Sequence, residues 1–274
     1  MIKSPYSPDI INNKLCVCKN KLSKKINFGN LPLINNYTNK INLKKYPVAV
    51  SQCEKCKLIN LKYSIPDKLL FPSNYSYLSG NSKEKIENFK SILYKIEKFS
   101  KKKDPRILDI GSNDGSFLEL AKNKYQKVLG IEPTNCAKIA INKGINTIKS
   151  PLNLKLAKKI VNKYSKFDFI IGTNILAHTN NIGGILKSIK LLLNKKGLSI
   201  IEVQYLYDLI SQGGFDSFHH EHTSYFTLSS IIKVMEKYKL YVFDAEKLSV
   251  HGGILRVYVS LNKKKLGKRV EKIL

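Results

Sequence analysis

The chain has 274 residues, 43% of them hydrophobic and 25% charged, enough for one large domain or two unequal ones with a real core. No run approaches the ~18 consecutive apolar residues of a membrane span, and residues 1–15, broken by Lys3 and Asp9, lack the apolar stretch of a signal peptide, so a cytoplasmic chain is expected. The formal charge is +28, but all except three of the 48 basic residues are lysines scattered along the sequence, which favours a solvated coat that steers anions inward over an arginine-based nucleic-acid footprint.

The first seventy residues carry four of the five cysteines and few long periodic segments. Cys16-Val17-Cys18 and Cys53-Glu54-Lys55-Cys56 form two close pairs. Cytosolic thiols stay reduced, so such a cluster favours a metal site over disulfides. Four thiolates would satisfy tetrahedral zinc and close its coordination sphere, making the ion structural in a lobe that lacks a large core. Unpaired core cysteines or a redox pair are the alternatives. Cys136 stands apart in a predicted helix and reads as packing. Residues 84–99 place Ile86, Phe89, Ile92, Leu93, Ile96 and Phe99 on one helical face. A turn follows at Lys101-Lys102-Lys103-Asp104-Pro105.

From residue 106 strands and helices alternate. Strands are expected at 106–110, 127–131, 145–148, 167–172 and 198–203, and helices at 116–124, 135–143 and 182–193. A helix at 229–239, strands at 240–245 and 255–261 and a terminal helix at 267–274 complete the pattern. It implies an α/β fold with a mostly parallel sheet covered on both faces.

Two segments carry chemistry. After the first of these strands, Gly111 and Gly115 let the backbone turn sharply and approach a ligand. Glu132 follows Gly111 by 21 residues, at the end of the next strand, where a carboxylate can accept from both ribose hydroxyls. The spacing is not G-x-G-x-x-G, which disfavours a dinucleotide fold. After the fifth strand, His219, His220, Glu221 and His222 sit among Phe215, Phe218, Tyr225 and Phe226. Three histidines this close in sequence do not converge easily on one ion, whereas a histidine beside a carboxylate suits a general base. The aromatic flanks argue against an idle surface loop. His251, before Gly252-Gly253, suits either a core position or a close ligand approach.

These motifs carry a resemblance. Asp109 to Gly115 is similar to motif I of class I S-adenosylmethionine-dependent methyltransferases. The wider set resembles the sugar C-methyltransferase family, which acts on nucleotide-linked deoxyketosugars. Its phrases match residues 28–35, 53–61, 74–82, 110–115, 130–133, 173–178, 215–222 and 251–257, in that order. The resemblance implies a Rossmann-like seven-stranded methyltransferase sheet with its last strand antiparallel. A small cysteine-rich zinc-binding lobe (residues 1–72) and a helical linker (73–104) would precede the methyltransferase domain (105–261), and residues 262–274 would be the stub of a truncated C-terminal domain.

It further implies C-methylation beside the ketone of a nucleotide-linked 4-ketosugar, a small-molecule substrate. His222 would be the base of the segment His220-Glu221-His222, with Glu221 oriented beside it. Tyr75 and Tyr77 would line the sugar pocket and donate to the enolate. Asp109, Gly111, Asn113, Gly115 and Glu132 would hold S-adenosylmethionine, with Asn174 and His178 at its methionine end. Ser79, Ser82, His219, His251 and Arg256 would meet the substrate, and Cys16, Cys18, Cys53 and Cys56 the zinc. The chain departs from the family in its tight C-x-C pair, in His219 for Tyr, in Ile254 for Ser, and in length. A nucleic-acid methyltransferase is the weaker alternative, since Thr173-Asn174-Ile175-Leu176 lacks an N/D-P-P-Y/F/W motif. A cofactor-binding remnant without turnover is the other.

Overall fold

The computed structural model describes residues 9–34, 42–71, 75–250 and 252–274. His251, expected at the substrate, lies outside the described residues.

The N-terminal lobe is built from β1 (Ile11–Asn12), β2 (Leu22–Pro32), β3 (Lys45–Cys53), β4 (Ile59–Leu61) and β5 (Tyr63–Ser64). β2 and β4 flank β3, both antiparallel to it, and β1 pairs with β5. The sequence shows little periodicity here for a physical reason. Register shifts between Ser23 and Lys25 and between Asn27 and Gly29 break the alternation of β2, and most of that strand faces solvent.

Helix α1 (Asp67–Leu70) and a 3-10 turn at Ser79–Asn81 lead to α2 (Lys83–Phe99). α2 buries Phe89, Ile92, Leu93 and Ile96, the face expected from its periodicity. Ser82 caps it, its hydroxyl accepting from the Lys85 amide at 3.2 Å. That hydroxyl is therefore engaged at a helix end and does not line the cavity, contrary to the substrate contact expected of Ser82.

The large sheet follows through β6 (Ile107–Ile110), α3 (Ser116–Lys122), β7 (Val128–Ile131), α4 (Cys136–Asn142), β8 (Thr147–Ile148), α5 (Leu154–Tyr164), β9 (Phe167–Thr173), α6 (Ile182–Leu192) and β10 (Leu193–Gln204). The chain then forms α7 (Leu206–Ser211), β11 (Ser224–Tyr225), α8 (Leu228–Lys237), β12 (Tyr241–Leu248), β13 (Ile254–Ser260) and α9 (Lys268–Ile273). The seven strands run in the order β12-β13-β10-β9-β6-β7-β8. β6 to β10 are parallel to their neighbours in that set, while β13 is antiparallel to both β10 and β12. This is the class I methyltransferase sheet. Its order reverses between β6 and β9, and ligands of such sheets sit outside the carboxyl ends of the strands at that point.

Two joints tie the lobe to the sheet. β11, from the histidine segment, pairs with β4 and so completes the lobe's four-stranded sheet. The four cysteines and Leu58 share one apolar core with Leu228, Ile231 and Val234 of α8, and the Tyr238 hydroxyl donates to the Val17 carbonyl at 2.9 Å. No described helix is long and apolar enough to cross a membrane.

Candidate active site

A cleft of about 750 Å³ opens at the carboxyl ends of β6, β7 and β9. The glycine turn forms its floor. Gly111 has φ +73°, and a Cβ there would meet Ile175 Cγ2 at 2.6 Å, so only glycine lets the backbone line the cleft at this point. Asn113 accepts from the Ser79 amide at 2.9 Å and donates to the Tyr77 carbonyl at 3.0 Å, which fastens the segment before α2 over the turn. Glu132 is held by the amides of Asn113 (3.0 Å) and Thr134 (2.8 Å), one on each oxygen. Each carboxylate oxygen keeps acceptor capacity for a vicinal diol.

Two residues expected at the cofactor lie behind the cleft wall. Gly115 packs on α4, where a Cβ would meet Ala140 Cβ at 2.8 Å. Asp109 is buried in β6, and burial together with nearby Glu132 pushes its carboxyl well above the usual range.

Asn174, with φ +61°, sits just past β9 and lines the cleft. Its amide donates to the Glu202 carbonyl at 2.9 Å, while its side-chain Oδ1 is buried without a partner among the described residues. His178 lines the cleft beside the histidine segment, its ring edge-on to that of His222.

That segment divides by orientation. His222 Nδ1 lies 2.9 Å from the Ser217 carbonyl. A carbonyl only accepts, so Nδ1 carries the proton and Nε2 the lone pair. The rings of His178 and His219 flank His222, with centroids 4.7 and 4.1 Å away. Burial lowers the pKa of all three. It holds His178 well below the imidazole range, with His222 adding to the effect, and takes His219 down to about 3. The trio is therefore neutral at pH 7. Glu221, also buried, lines the same wall.

His220 points the other way. Its Nε2 donates to the Tyr46 carbonyl of β3 at 3.2 Å, and its ring stands edge-on to Tyr46. It pins the loop to the lobe and does not line the cleft, which removes it from the expected catalytic set. Tyr75, Tyr77 and Ser79 also line the cleft. Burial raises both phenols, helped by Glu221 at Tyr75 and by Asp114 at Tyr77, so both stay protonated donors.

Arg256, expected at the substrate, is fully buried elsewhere. Its guanidinium donates to Glu202 (2.8 Å), to Asn88 (2.7 Å) and to the Ser91 hydroxyl (2.8 Å). This network locks α2 onto β10 and β13. Lys85 is the cleft residue that sequence reasoning missed. It is 4% exposed and lines the cleft. The signal was its spacing, since Lys85, Phe89, Ile92 and Ile96 share one helical face, and a charge on an apolar face asks for a partner.

In the lobe, the Sγ atoms of Cys16, Cys18, Cys53 and Cys56 all lie within 4.8 Å of one another. The Cys16–Cys56 and Cys18–Cys53 pairs are 3.5 and 3.4 Å apart. A regular zinc tetrahedron with ~2.3 Å bonds has sulfurs roughly 3.8 Å apart, so the donor set fits that ion. Each pair is followed by a left-handed lysine, Lys19 (φ +67°) and Lys57 (φ +64°), whose amide returns to the carbonyl of Cys16 or Cys53. These turns bring both pairs to one point despite the tight C-x-C spacing. Asn20 and Asn60 donate amide protons toward Cys18 and Cys16 sulfur, as suits thiolates.

Residues 85–244 match the family model described as a methyltransferase domain. C-methyltransferase NovU of Streptomyces niveus is 28% identical over 241 residues, which cover 86% of this chain and 57% of that protein. The chain thus spans little more than half the length of this curated relative. Magnesium protoporphyrin IX methyltransferase from Synechocystis PCC 6803, solved with bound SAH, superposes with a TM-score of 0.51 at 13% identity, over 64% of this chain and 83% of its own. A S-adenosylmethionine-dependent methyltransferase from Clostridium acetobutylicum ATCC 824 gives a TM-score of 0.51 at 15% identity, over 67% of this chain and 94% of its own. At these identities the solved structures speak for the fold alone.

Proposed function

The chain belongs to the methyltransferase-domain family, with S-adenosylmethionine as its methyl donor, and from that premise we propose that it methylates carbon, at the position beside the ketone of a nucleotide-linked 4-keto-deoxysugar. The observation that carries this reading is His222, a half-buried, neutral imidazole in the cleft whose tautomer leaves Nε2 as a proton acceptor with no partner among the described residues. Such a group suits removal of a proton from carbon, a step that methyl transfer to a nitrogen or oxygen does not need in this form.

The residues divide the work. His222 Nε2 takes the proton, and the C–H electron pair becomes the enolate double bond while negative charge moves to the ketone oxygen. The Tyr75 and Tyr77 hydroxyls donate to that oxygen. The Ser217 carbonyl orients the imidazole and, with Asp216 nearby, favours its charged form once the proton arrives, while Glu221 lines the same wall. Gly111, Asn113 and Glu132 hold the nucleoside end of the donor, and Asn174 its amino-acid end. When bound, S-adenosylmethionine supplies a sulfonium methyl that the enolate carbon takes while the S–C electron pair stays on sulfur. Holding both reactants in one cleft supplies much of the rate. The similarity to the C-methyltransferase NovU supports this reading.

Proton abstraction can be tested apart from methyl transfer. The protein with S-adenosylhomocysteine and a thymidine-diphosphate 4-keto-6-deoxysugar in D2O should exchange the proton beside the ketone, seen by NMR. Binding of S-adenosylhomocysteine without exchange of any sugar proton would refute the enolate reading and leave the fold assignment untouched. The cysteine cluster, in the same proposal, holds one structural zinc. It lies in the lobe's core beside α8, away from the cleft, so the ion's task is to close the lobe.

A further inference from the structure

The cleft contains two polar atoms that the protein leaves unanswered. The first is the Lys85 ammonium. It is subject to burial and to the charges of Glu202, Asp109, Glu84 and Arg256, with no hydrogen bond or ion pair of its own among the described residues, and the Phe89 ring centroid lies 5.9 Å from it. A buried ammonium in this state is costly, and burial depresses its pKa in spite of the three carboxylates. The second is Asn174 Oδ1, buried and unpartnered. Both residues line the same cleft, and both border Glu202: Asn174 by its amide on the Glu202 carbonyl, Lys85 by attraction to the Glu202 carboxylate.

One lone donor and one lone acceptor in the same cleft complement an α-amino-acid zwitterion. We infer that Lys85 donates to the α-carboxylate of the methyl donor's methionine end while Asn174 Oδ1 accepts from its α-ammonium. The inference rests on the cleft being the S-adenosylmethionine site. The alternative anion, a substrate diphosphate, fits less well. Its second negative charge would be opposed by the field of Glu202, the largest charge effect on Lys85. The lysine is also held in place. Ser82 caps its helix turn, and Asn88, one turn on, is clamped between Glu202 and Arg256. An anchor fixed in this way loses little freedom when the ligand arrives.

The test uses the whole chain and calorimetric titration with S-adenosylhomocysteine and with 5′-methylthioadenosine, which lacks the amino-acid tail. Lys85→Met should weaken S-adenosylhomocysteine by about 10- to 100-fold and leave methylthioadenosine within about twofold, as expected for loss of one charge-assisted hydrogen bond. Lys85→Arg should keep most of the affinity. Equal losses on both ligands would mark Lys85 as merely structural and overturn the inference, as would no loss on either. The unaltered protein gives a second route that needs no variant. The methyl ester of S-adenosylhomocysteine should bind at least about tenfold more weakly than the free acid, and equal affinities overturn the assignment. If the unaltered protein binds neither tailed nor tailless ligand, the cofactor reading itself falls and the inference with it.

Discussion

Glu202→Gln should destabilise the fold severely even though it changes one atom. Glu202 is fully buried, and its two oxygens accept from Arg256 Nε and from Asn88 Nδ2, each at 2.8 Å. Glutamine keeps one acceptor and turns an NH2 group toward one of those two donors. It also leaves the Arg256 charge, whose side chain is 1% exposed, with Glu246 at 3.7 Å as its remaining carboxylate. Breaking one partner of a buried pair costs about 3–5 kcal/mol. For a chain of this size each kcal/mol moves the melting temperature by roughly 2–4 °C, so a drop of about 6–20 °C is expected. The chain contains no tryptophan, so urea and thermal unfolding are best followed by circular dichroism. The double variant Glu202→Met with Arg256→Met should recover much of the loss, because it removes both desolvated charges and keeps the volume. A loss below about 1 kcal/mol for Glu202→Gln, or a double variant no better than the single, would refute the account of this network as a buried charge pair.

His222→Gln should cut sugar-proton exchange and turnover by about 10²- to 10⁴-fold with S-adenosylhomocysteine affinity unchanged. An equal loss of ligand affinity would show that the imidazole only shapes the cleft. Protonation gives a second check. His178, His219 and His222 resist protons in the fold, while the unfolded chain accepts them below the ordinary imidazole value of 6.5. Stability present above that pH is therefore lost as pH falls toward the folded values. Urea midpoints at about pH 7.5 and about pH 5.5 should show the drop, and His219→Phe should reduce it. The acid limb of the activity profile should likewise lie below the ordinary imidazole value, because the base His222 is depressed. Elemental analysis should find about one zinc per chain, and Cys53→Ser should lower that content and the melting temperature together.

The doubly wound half was legible because its strands are buried on both faces. All four residues of β6 and all four of β7 are buried, and apart from Asp109 they read as apolar runs. Helix α5 escaped notice although Leu156, Ala157, Ile160, Val161 and Tyr164 share a face. Its four lysines are of a piece with the lysine bias of the whole chain and dilute the pattern. The cysteine cluster could be read from spacing alone. The histidine segment could be read as a group but not residue by residue. His220 and His222 are two positions apart, yet one faces the lobe and the other the cleft, and only tertiary contacts with Tyr46 and Ser217 decide which. Arg256 was misplaced for a similar reason. Its partners Glu202 and Asn88 stand 54 and 168 positions away, and no local pattern joins them.

Strand β11 changes what can be transplanted. It leaves the methyltransferase sheet's connections to complete the sheet of the cysteine lobe, carrying His222 at its doorstep. A gene cut near residue 72 would free a transferase half with an orphan strand, and His220 would lose the Tyr46 carbonyl. His222, the proposed general base, would then hang from a loop with one end unmoored. Swapping this lobe for a relative's, or grafting the transferase half onto another scaffold, thus alters the aim of the chemistry as well as the surface around it. In a lineage of such enzymes the two halves are expected to travel together, with residues 46–61 and 220–226 changing as one unit.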